Sequence, residues 1–253
     1  MSKDTLQRFS NRVDDYINFR PHYPEEMIAF LVGEGIVTAQ SVVADIGSGT
    51  GISSELFLLN GNKVYGVEPN KEMREAAENI FLNNKNFISV AATAESTSLA
   101  VSSIDLIIAS QAFHWFDKAK CKEEFRRILK KDASLALIWN DRRTDSSDFL
   151  IAYEKLLKDF GTDYSEVNHK NIDKKQMDDF FGEEVRTRCF DNFQHFEYEG
   201  LEGRLRSCSY VPSPEQAGYQ PMMEALKELF KEFNTLGKIT FEYDTRIFYG
   251  KLK

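Results

Sequence analysis

The chain is 253 residues long, 42% hydrophobic and 28% charged, with a formal net charge of −8. This length readily buries a core, and the mixture excludes a disordered or fibrous chain. The acidic balance argues against a nucleic-acid partner, because neutralising phosphates takes a basic face. The 20 Phe and 10 Tyr predict an aromatic-rich interior or pocket. Cys121, Cys189 and Cys208 lie far apart without paired metal-ligand spacing, which fits packed thiols in a reducing compartment and predicts no metal site. Residues 1–16 are charged and lack the apolar centre of a secretory signal, and no apolar run is long enough to span a bilayer. A cytoplasmic protein without a membrane partner is expected.

In chain order, the first candidate element is the segment Tyr16-Ile-Asn-Phe-Arg20-Pro-His-Tyr23-Pro24, read as a helix entry stiffened by Pro21 and Pro24. From Ser41 onward, short β-rich runs alternate with helical patterns. Buried strands are predicted at 41–46, 63–67, 87–92, 104–110 and 134–140, with helices at 71–82 and 118–130 between them. Lys118, Lys122, Arg126 and Lys130 recur every fourth residue, which predicts one solvated face on the second of these helices. Alternation of this kind predicts right-handed crossovers and a mostly parallel sheet covered on both faces. After Asn140 the pattern changes: a helix over 147–160, a long alternating strand over 187–198 and a last strand over 241–250. Ser213-Pro-Glu-Gln216 predicts a capping box opening a helix that carries Met222, Leu226, Leu229, Phe230 and Phe233 on one face. The expected architecture is a single Rossmann-like, doubly wound α/β domain with a seven-stranded sheet and an antiparallel edge. Residues 1–40 form a cap segment, 41–143 the cofactor-binding core, and 144–253 lid helices with the last two strands.

The chemistry concentrates after the first strand. Asp45-Ile-Gly47-Ser48-Gly49-Thr50-Gly51 is a strand tip running into a glycine-rich turn and a helix, where the backbone can approach a ligand closely. The second strand ends in Glu68-Pro69-Asn70, and a carboxylate there can accept both hydroxyls of a ribose. The spacing G-x-G-x-G differs from the dinucleotide pattern G-x-G-x-x-G. An anionic Asp45 beside it repels a diphosphate but suits the cationic ammonium of a methionine moiety, and no Gly-Lys-Ser/Thr follows for a triphosphate. These features favour S-adenosylmethionine.

The segment 45–51 resembles the first motif of class I S-adenosylmethionine-dependent methyltransferases, and Gly66–Asn70 their second-strand motif. Ala94-Glu95 resembles the position flanking the adenine, with Thr93 standing where many relatives carry an aspartate. Residues 104–116, with Gln111 and the Phe113-His114-Trp115-Phe116 run, resemble the fourth-strand motif of small-molecule members related to trans-aconitate methyltransferases. The resemblance implies that Asp45, Gly47, Ser48, Gly49, Thr50, Gly51, Glu68, Pro69, Ala94, Glu95, Gln111 and Arg20 hold the cofactor. Tyr16 and Tyr23, in a leading segment that resembles that of many relatives, are candidate acceptor-pocket residues. His114, Trp115, Asn140, Arg142, Arg143, Tyr210 and Arg246 join them, read from their places at strand ends and in the lid, with His114 as pocket lining or general base and the two strand-end arginines otherwise solvated. The arginines around that pocket suggest a carboxylate-bearing small molecule. His169 and His195 stand apart and read as structural. Two other readings stay open: a non-catalytic protein that binds the same cofactor, and a nicotinamide-dependent oxidoreductase, which the glycine spacing opposes.

Overall fold

A computed structural model describes residues 13–162, 164 and 174–253; His169 lies outside them. Helices α1 (Val13–Phe19) and α2 (Glu25–Gly33) precede β1 (Val42–Ile46), α3 (Ile52–Leu59), β2 (Lys63–Val67), α4 (Lys71–Ile80), β3 (Phe87–Val90) and β4 (Ile104–Ser110). A short 3-10 turn, Phe113–Trp115, leads to α5 (Lys118–Ile128) and β5 (Leu129–Arg142). The chain continues through α6 (Asp148–Phe160), α7 (Lys174–Phe181), β6 (Arg186–Phe196), α8 (Tyr198–Arg206), α9 (Tyr219–Phe233) and β7 (Ile239–Gly250). The strands form one seven-stranded sheet in the order β3-β2-β1-β4-β5-β7-β6. The first five of these are parallel, and β7 runs antiparallel to both β5 and β6. The antiparallel pairing expected at this edge is therefore made by a strand that sits one place in.

The four strands β1 to β4 lie where the apolar runs place them, within two residues at either end. Strand β5 is longer than the predicted 134–140. It enters through Leu129-Lys-Lys-Asp132, where Asp132 takes a φ of 68° and the register against β4 shifts between Ile104 and Leu106. Polar residues with a kink among them carry no alternating signal, so the extension is invisible to periodicity. Helix α5 accordingly stops at Ile128, and Lys130 belongs to β5, where its Nζ lies 2.8 Å from Asp105 Oδ2. The predicted cationic face thus loses its last member. Asp105 Oδ2 also accepts from the Val42 amide at 2.8 Å, which joins the starts of β1, β4 and β5.

The predicted capping box closes a turn rather than a helix. The Gln216 side chain accepts from the Ser213 amide at 2.6 Å, but α9 begins only at Tyr219. Pro221 gives the reason: in a helix begun at Pro214 it would sit deep in the interior, whereas from Tyr219 it falls in the first turn. The expected apolar face of α9 is present, with Met222 and Leu226 fully buried and Leu229, Phe230 and Phe233 packed beside them.

Alternate residues of the central strands feed two cores. Ala44, Ile107, Leu137 and Trp139 face α5 and α7, while Val43, Leu106, Ile108 and Ile138 face α2 and α3. A third core belongs to the late helices. Only residues 243–250 of β7 pair with β5, so Ile239–Glu242 run past it, paired with β6 alone. Ile239 and Phe241 there, with Tyr243 at its edge, pack against Leu150, Tyr153 and Leu157 of α6, Leu201 and Leu205 of α8, and Met222 of α9. This overhang holds a helical layer beyond the carboxyl ends of the parallel strands, where ligands bind in open α/β sheets.

Helix α1 docks on that layer through Phe19. Gly203 of α8 is buried beneath its ring, and a Cβ at 203 would come within 2.1 Å of Phe19 Cε2. Gly203→Ala is expected to lower stability by roughly 1–3 kcal/mol through overpacking, as read by urea denaturation. Adding Phe19→Leu should recover part of the loss, and an unchanged midpoint in Gly203→Ala would show that the contact is loose.

Candidate active site

The turn after β1 is built on three left-handed glycines, with φ of 72° at Gly47, 55° at Gly49 and 88° at Gly51. At two of these the space is also closed. A Cβ at Gly47 would meet Ala112 Cβ at 2.6 Å, and one at Gly51 would meet the Phe81 ring at 2.4 Å. Gly47 N and Ser48 N donate to Val67 O at 2.8 and 3.2 Å, tying the turn to the end of β2. Glu68 completes that tie: Oε2 accepts from Gly49 N at 3.0 Å and Oε1 from Asn70 N at 2.7 Å. Pro69, half-buried, follows it, and burial raises the Glu68 pKa despite those amide bonds.

Asp45 is fully buried beneath the turn. Its Oδ2 accepts from the Ser53 and Ser54 hydroxyls of α3, each at 2.7 Å, while Oδ1 is buried without a hydrogen-bond partner. Burial pushes its carboxyl up to about 6, against the lowering effect of the two serines. Thr50 Oγ1 in the turn is likewise buried without a partner. A buried acceptor left unfilled normally costs free energy, so both atoms mark a place built for something else.

Above the turn lies a cavity. Gly47, Ser48, Gly49 and Thr50 form its floor, with Ser53 and Met73 beside them, and Ser110, Gln111, His114 and Trp115 after β4 form one wall. Gln111 takes a φ of 54°, with its Nε2 donating to Asn140 O at 3.0 Å. The His114 and Trp115 rings pack 4.7 Å apart. Tyr16, Arg20, Pro21 and Tyr23 cover the cavity from the N-terminal segment, and Arg142, Tyr164, Arg204, Ser209, Tyr210 and Tyr243 close the side beneath the helical layer.

The covering segment is held by side-chain amides. Asn140 Nδ2 donates to the carbonyls of Pro21 and His22 at 3.4 and 3.3 Å, Asn192 to His22 O at 2.7 Å and Gln194 to Phe19 O at 3.2 Å. Arg20 donates to Ser207 O at 2.7 Å and stacks 4.9 Å over the Tyr16 ring, while its Nε is buried without a partner. Asn140 lines the cavity, but its amide is committed to this segment and its oxygen accepts from Thr245 and Asn192.

Not every residue expected at the site lines the cavity. Asp45, Gly51, Glu68 and Pro69 stand behind the turn. Ala94 is buried, and Glu95 accepts from the Asp117 amide at 3.0 Å; neither reaches the lining. Arg143 lies across the outer strands, where it bonds Asp244 Oδ1 at 2.6 Å and also Asp191. Those two aspartates face each other in the β6–β7 register, so Arg143 relieves a like-charge pair. Arg246 pairs with Asp141 across β5 and β7 and also stays off the lining. Arg142 does line it, with Nη2 on Glu154 at 2.5 Å and on the Tyr164 hydroxyl at 3.0 Å. Arg204, Tyr164 and Tyr243 are additions that the sequence reading misses. The one available signal is that Arg204 interrupts the apolar stripe formed by Leu201 and Leu205 of α8 and Cys208 just beyond it.

Residues 44–137 match the methyltransferase domain family. A methyltransferase of Dictyostelium discoideum is 30% identical over 234 residues, covering 90% of this chain and 87% of that protein. Other relatives match over a shorter stretch, so that the chain spans about half their length: a methyltransferase of Mycobacterium tuberculosis is 31% identical over 140 residues, 55% of each chain. Among solved structures, a type II methyltransferase from Anaeromyxobacter dehalogenans superposes with a TM-score of 0.67 at 21% identity, covering 92% of this chain and 98% of that one. A phosphoethanolamine N-methyltransferase of Haemonchus contortus, solved with S-adenosylmethionine, has a TM-score of 0.58 at 16% identity and covers all of this chain and 60% of that one.

A raised carboxyl pKa means that the native state holds its proton more tightly than the unfolded chain. The stability due to Asp45 is then fully present below its ordinary value of 3.8 and is lost as pH rises through about 6. Denaturation at about pH 4.5 and 7.5 should show a loss on the order of 2–3 kcal/mol from this residue, and Asp45→Asn should flatten the slope. A slope that survives unchanged would place the buried proton elsewhere. By its glycine turn, its strand-tip carboxylates and the sequence it shares with these relatives, the chain belongs to the class I S-adenosylmethionine-dependent methyltransferases.

Proposed function

We propose that this protein transfers the methyl group of S-adenosylmethionine to a small, carboxylate-bearing molecule held in the cavity. The observation that carries the cofactor side is the unfilled Asp45 Oδ1 beneath the glycine turn, a buried anionic acceptor suited to a cationic ammonium. Glu68, already fixed by two amides, is oriented to receive a ribose diol. Arg20, with a buried Nε still to be filled, suits the methionine carboxylate. Ala94 and Glu95 are assigned to the adenine side and Gln111 to the edge of the methyl-bearing end. When bound, S-adenosylmethionine supplies an electrophilic methyl on a good leaving group, so the protein's task is largely proximity and orientation.

Tyr16, Tyr23, Trp115 and Tyr210 line the space assigned to the acceptor, and the lid expected over Thr144–Asp244, which contributes Thr144, Tyr164, Arg204 and Tyr243 to the lining, would choose it and exclude water. A carboxylate acceptor is already an anion and needs no base, which leaves His114 as a positioning wall. His114→Gln should then retain substantial turnover. A roughly 10²-fold loss in that variant would point instead to a hydroxyl or amine acceptor and a base.

Calorimetry tests the reading directly. S-adenosylmethionine and S-adenosylhomocysteine should bind far more tightly than NAD or ATP, and Glu68→Ala should weaken that binding by roughly 2–4 kcal/mol while the fold survives. NAD binding of equal strength would overturn the cofactor assignment. Cofactor binding without label transfer to any member of a carboxylic-acid panel would favour a non-catalytic binder.

A further inference from the structure

The basic residues nearest the cavity differ in how their charges are met. Arg142, with a side chain only 10% exposed, is paired with Glu154, whose own pKa is lowered: burial would raise it, but the Tyr164 and Arg142 hydrogen bonds prevail. Arg127 is paired in the same way with Glu124. Arg204 departs from this pattern. It is 5% exposed and lines the cavity, yet no carboxylate among the described residues lies within ion-pair distance of it. Its Nε donates to the Tyr243 hydroxyl at 3.1 Å, and its Nη1 to Cys208 Sγ at 3.0 Å and Ser207 Oγ at 3.5 Å. Nη2 has no hydrogen-bond partner among the described residues. Neutral hydroxyls satisfy donors without balancing charge, and an uncompensated buried guanidinium is strongly unfavourable.

Arg20 is the second cation of the lining without a carboxylate partner among the described residues. One of the two is answered by the methionine carboxylate of the cofactor. Both guanidinium groups reach Ser207, Arg20 its carbonyl at 2.7 Å and Arg204 its hydroxyl at 3.5 Å. But Arg20 comes from the segment that covers the glycine turn, to which the cofactor reading assigns it, whereas Arg204 projects from α8 in the helical layer. The geometry points to Arg204, flanked by Tyr210 and Tyr243, as the receptor for a carboxylate of the methyl acceptor at the cap end of the cavity. The assignment rests on the methyltransferase reading above and adds the residue that chooses the acceptor. Arg204 is fixed for this role by the Tyr243 hydroxyl, which in turn donates to Gln194 Oε1 at 2.8 Å, and by the Phe241 ring 5.8 Å from its guanidinium. A fork held rigidly loses little freedom when it grips a planar carboxylate.

Among the described residues, the rival counter-ion inside the protein is Cys208. Burial raises its thiol, but Arg204 and Arg20, with hydrogen bonds from Tyr210 and Arg204, outweigh that effect and bring it down to about 7. Among the described residues, Tyr153 of α6, Tyr210 and Tyr243 also face this thiol and guanidinium, and Arg142 of β5 faces Tyr153.

The test uses the full chain saturated with S-adenosylhomocysteine, titrated calorimetrically with octanoate, phenylacetate and glutarate and with the amide of each. At least one carboxylate should bind roughly 10- to 100-fold more tightly than its amide. Arg204→Gln should abolish that preference while S-adenosylhomocysteine affinity stays within about 2-fold, and Arg204→Lys should restore part of it. Amides binding as well as acids, or a preference that survives Arg204→Gln, would overturn the assignment. The wild-type comparison decides the matter even if Arg204→Gln does not fold. Carboxylate binding that appears only in Cys208→Ser would also overturn it, by making the thiolate the resident counter-ion. Failure of S-adenosylhomocysteine to bind would be a different result, removing the methyltransferase reading itself.

Discussion

Asp45 is a carboxyl buried out of reach of solvent, and much of the site follows from how the fold meets that constraint. The carboxylate ends β1, where the chain must reverse, and the two serines of the next helix reach back to one of its oxygens. Those bonds fix the first turn of α3 against the strand tip, and the intervening residues can close the gap only with left-handed glycines. The other oxygen keeps its acceptor capacity. A buried acceptor without a partner carries an electrostatic cost, and under the proposed cofactor role a cationic group would relieve it, which is preorganisation of a simple kind.

The far side of the cavity depends on a separate device, the overhang of β7. Within the sheet, β7 locks β5 to β6 by antiparallel pairing; beyond β5 it serves as the anchor of the helical layer. Tyr243, the first β7 residue after the overhang, both packs in that layer and fixes Arg204. Strands β5 and β6 supply the amides of Asn140, Asn192 and Gln194 that hold the N-terminal segment over the opening. The floor and roof of the cavity are therefore built by different parts of the chain but meet through β5, whose tip contributes Asn140 and Arg142 to the lining.

That division explains what can be read in advance. Strands β1 to β4 and the glycine turn are local patterns: an apolar run, a strand-tip acid, glycines at fixed offsets. Each is written in a few consecutive residues, and each is legible there. Arg143 and Arg246 resemble pocket residues in the sequence because they follow or belong to strands near the site. Their true partners, Asp191, Asp244 and Asp141, are set by cross-strand register, which no local pattern reports. The polar entry to β5 and the late start of α9 escape notice for related reasons: a kinked strand loses its period, and one proline outweighs a capping box. Arg204 is hidden more deeply. A single arginine on a mostly apolar helix face has no meaning until the structure shows that no carboxylate among the described residues meets it.

The charge distribution then takes on a sense that the total conceals. A chain of net charge −8 would be expected to distribute its arginines to acidic neighbours, and most of the described ones comply. Arg126 and Arg188 also lack an acidic partner among the described residues but are exposed. The two departures that are not, Arg20 and Arg204, both line one cavity and both reach Ser207, while Asp45 lies beneath its floor. A cavity with a buried anion below and two unmatched cations around it is complementary to a zwitterion plus one further anion. On the proposed assignment, the cofactor's amino-acid end would supply the zwitterion and the acceptor's acid the further anion, brought in by the same field that would repel a cationic competitor.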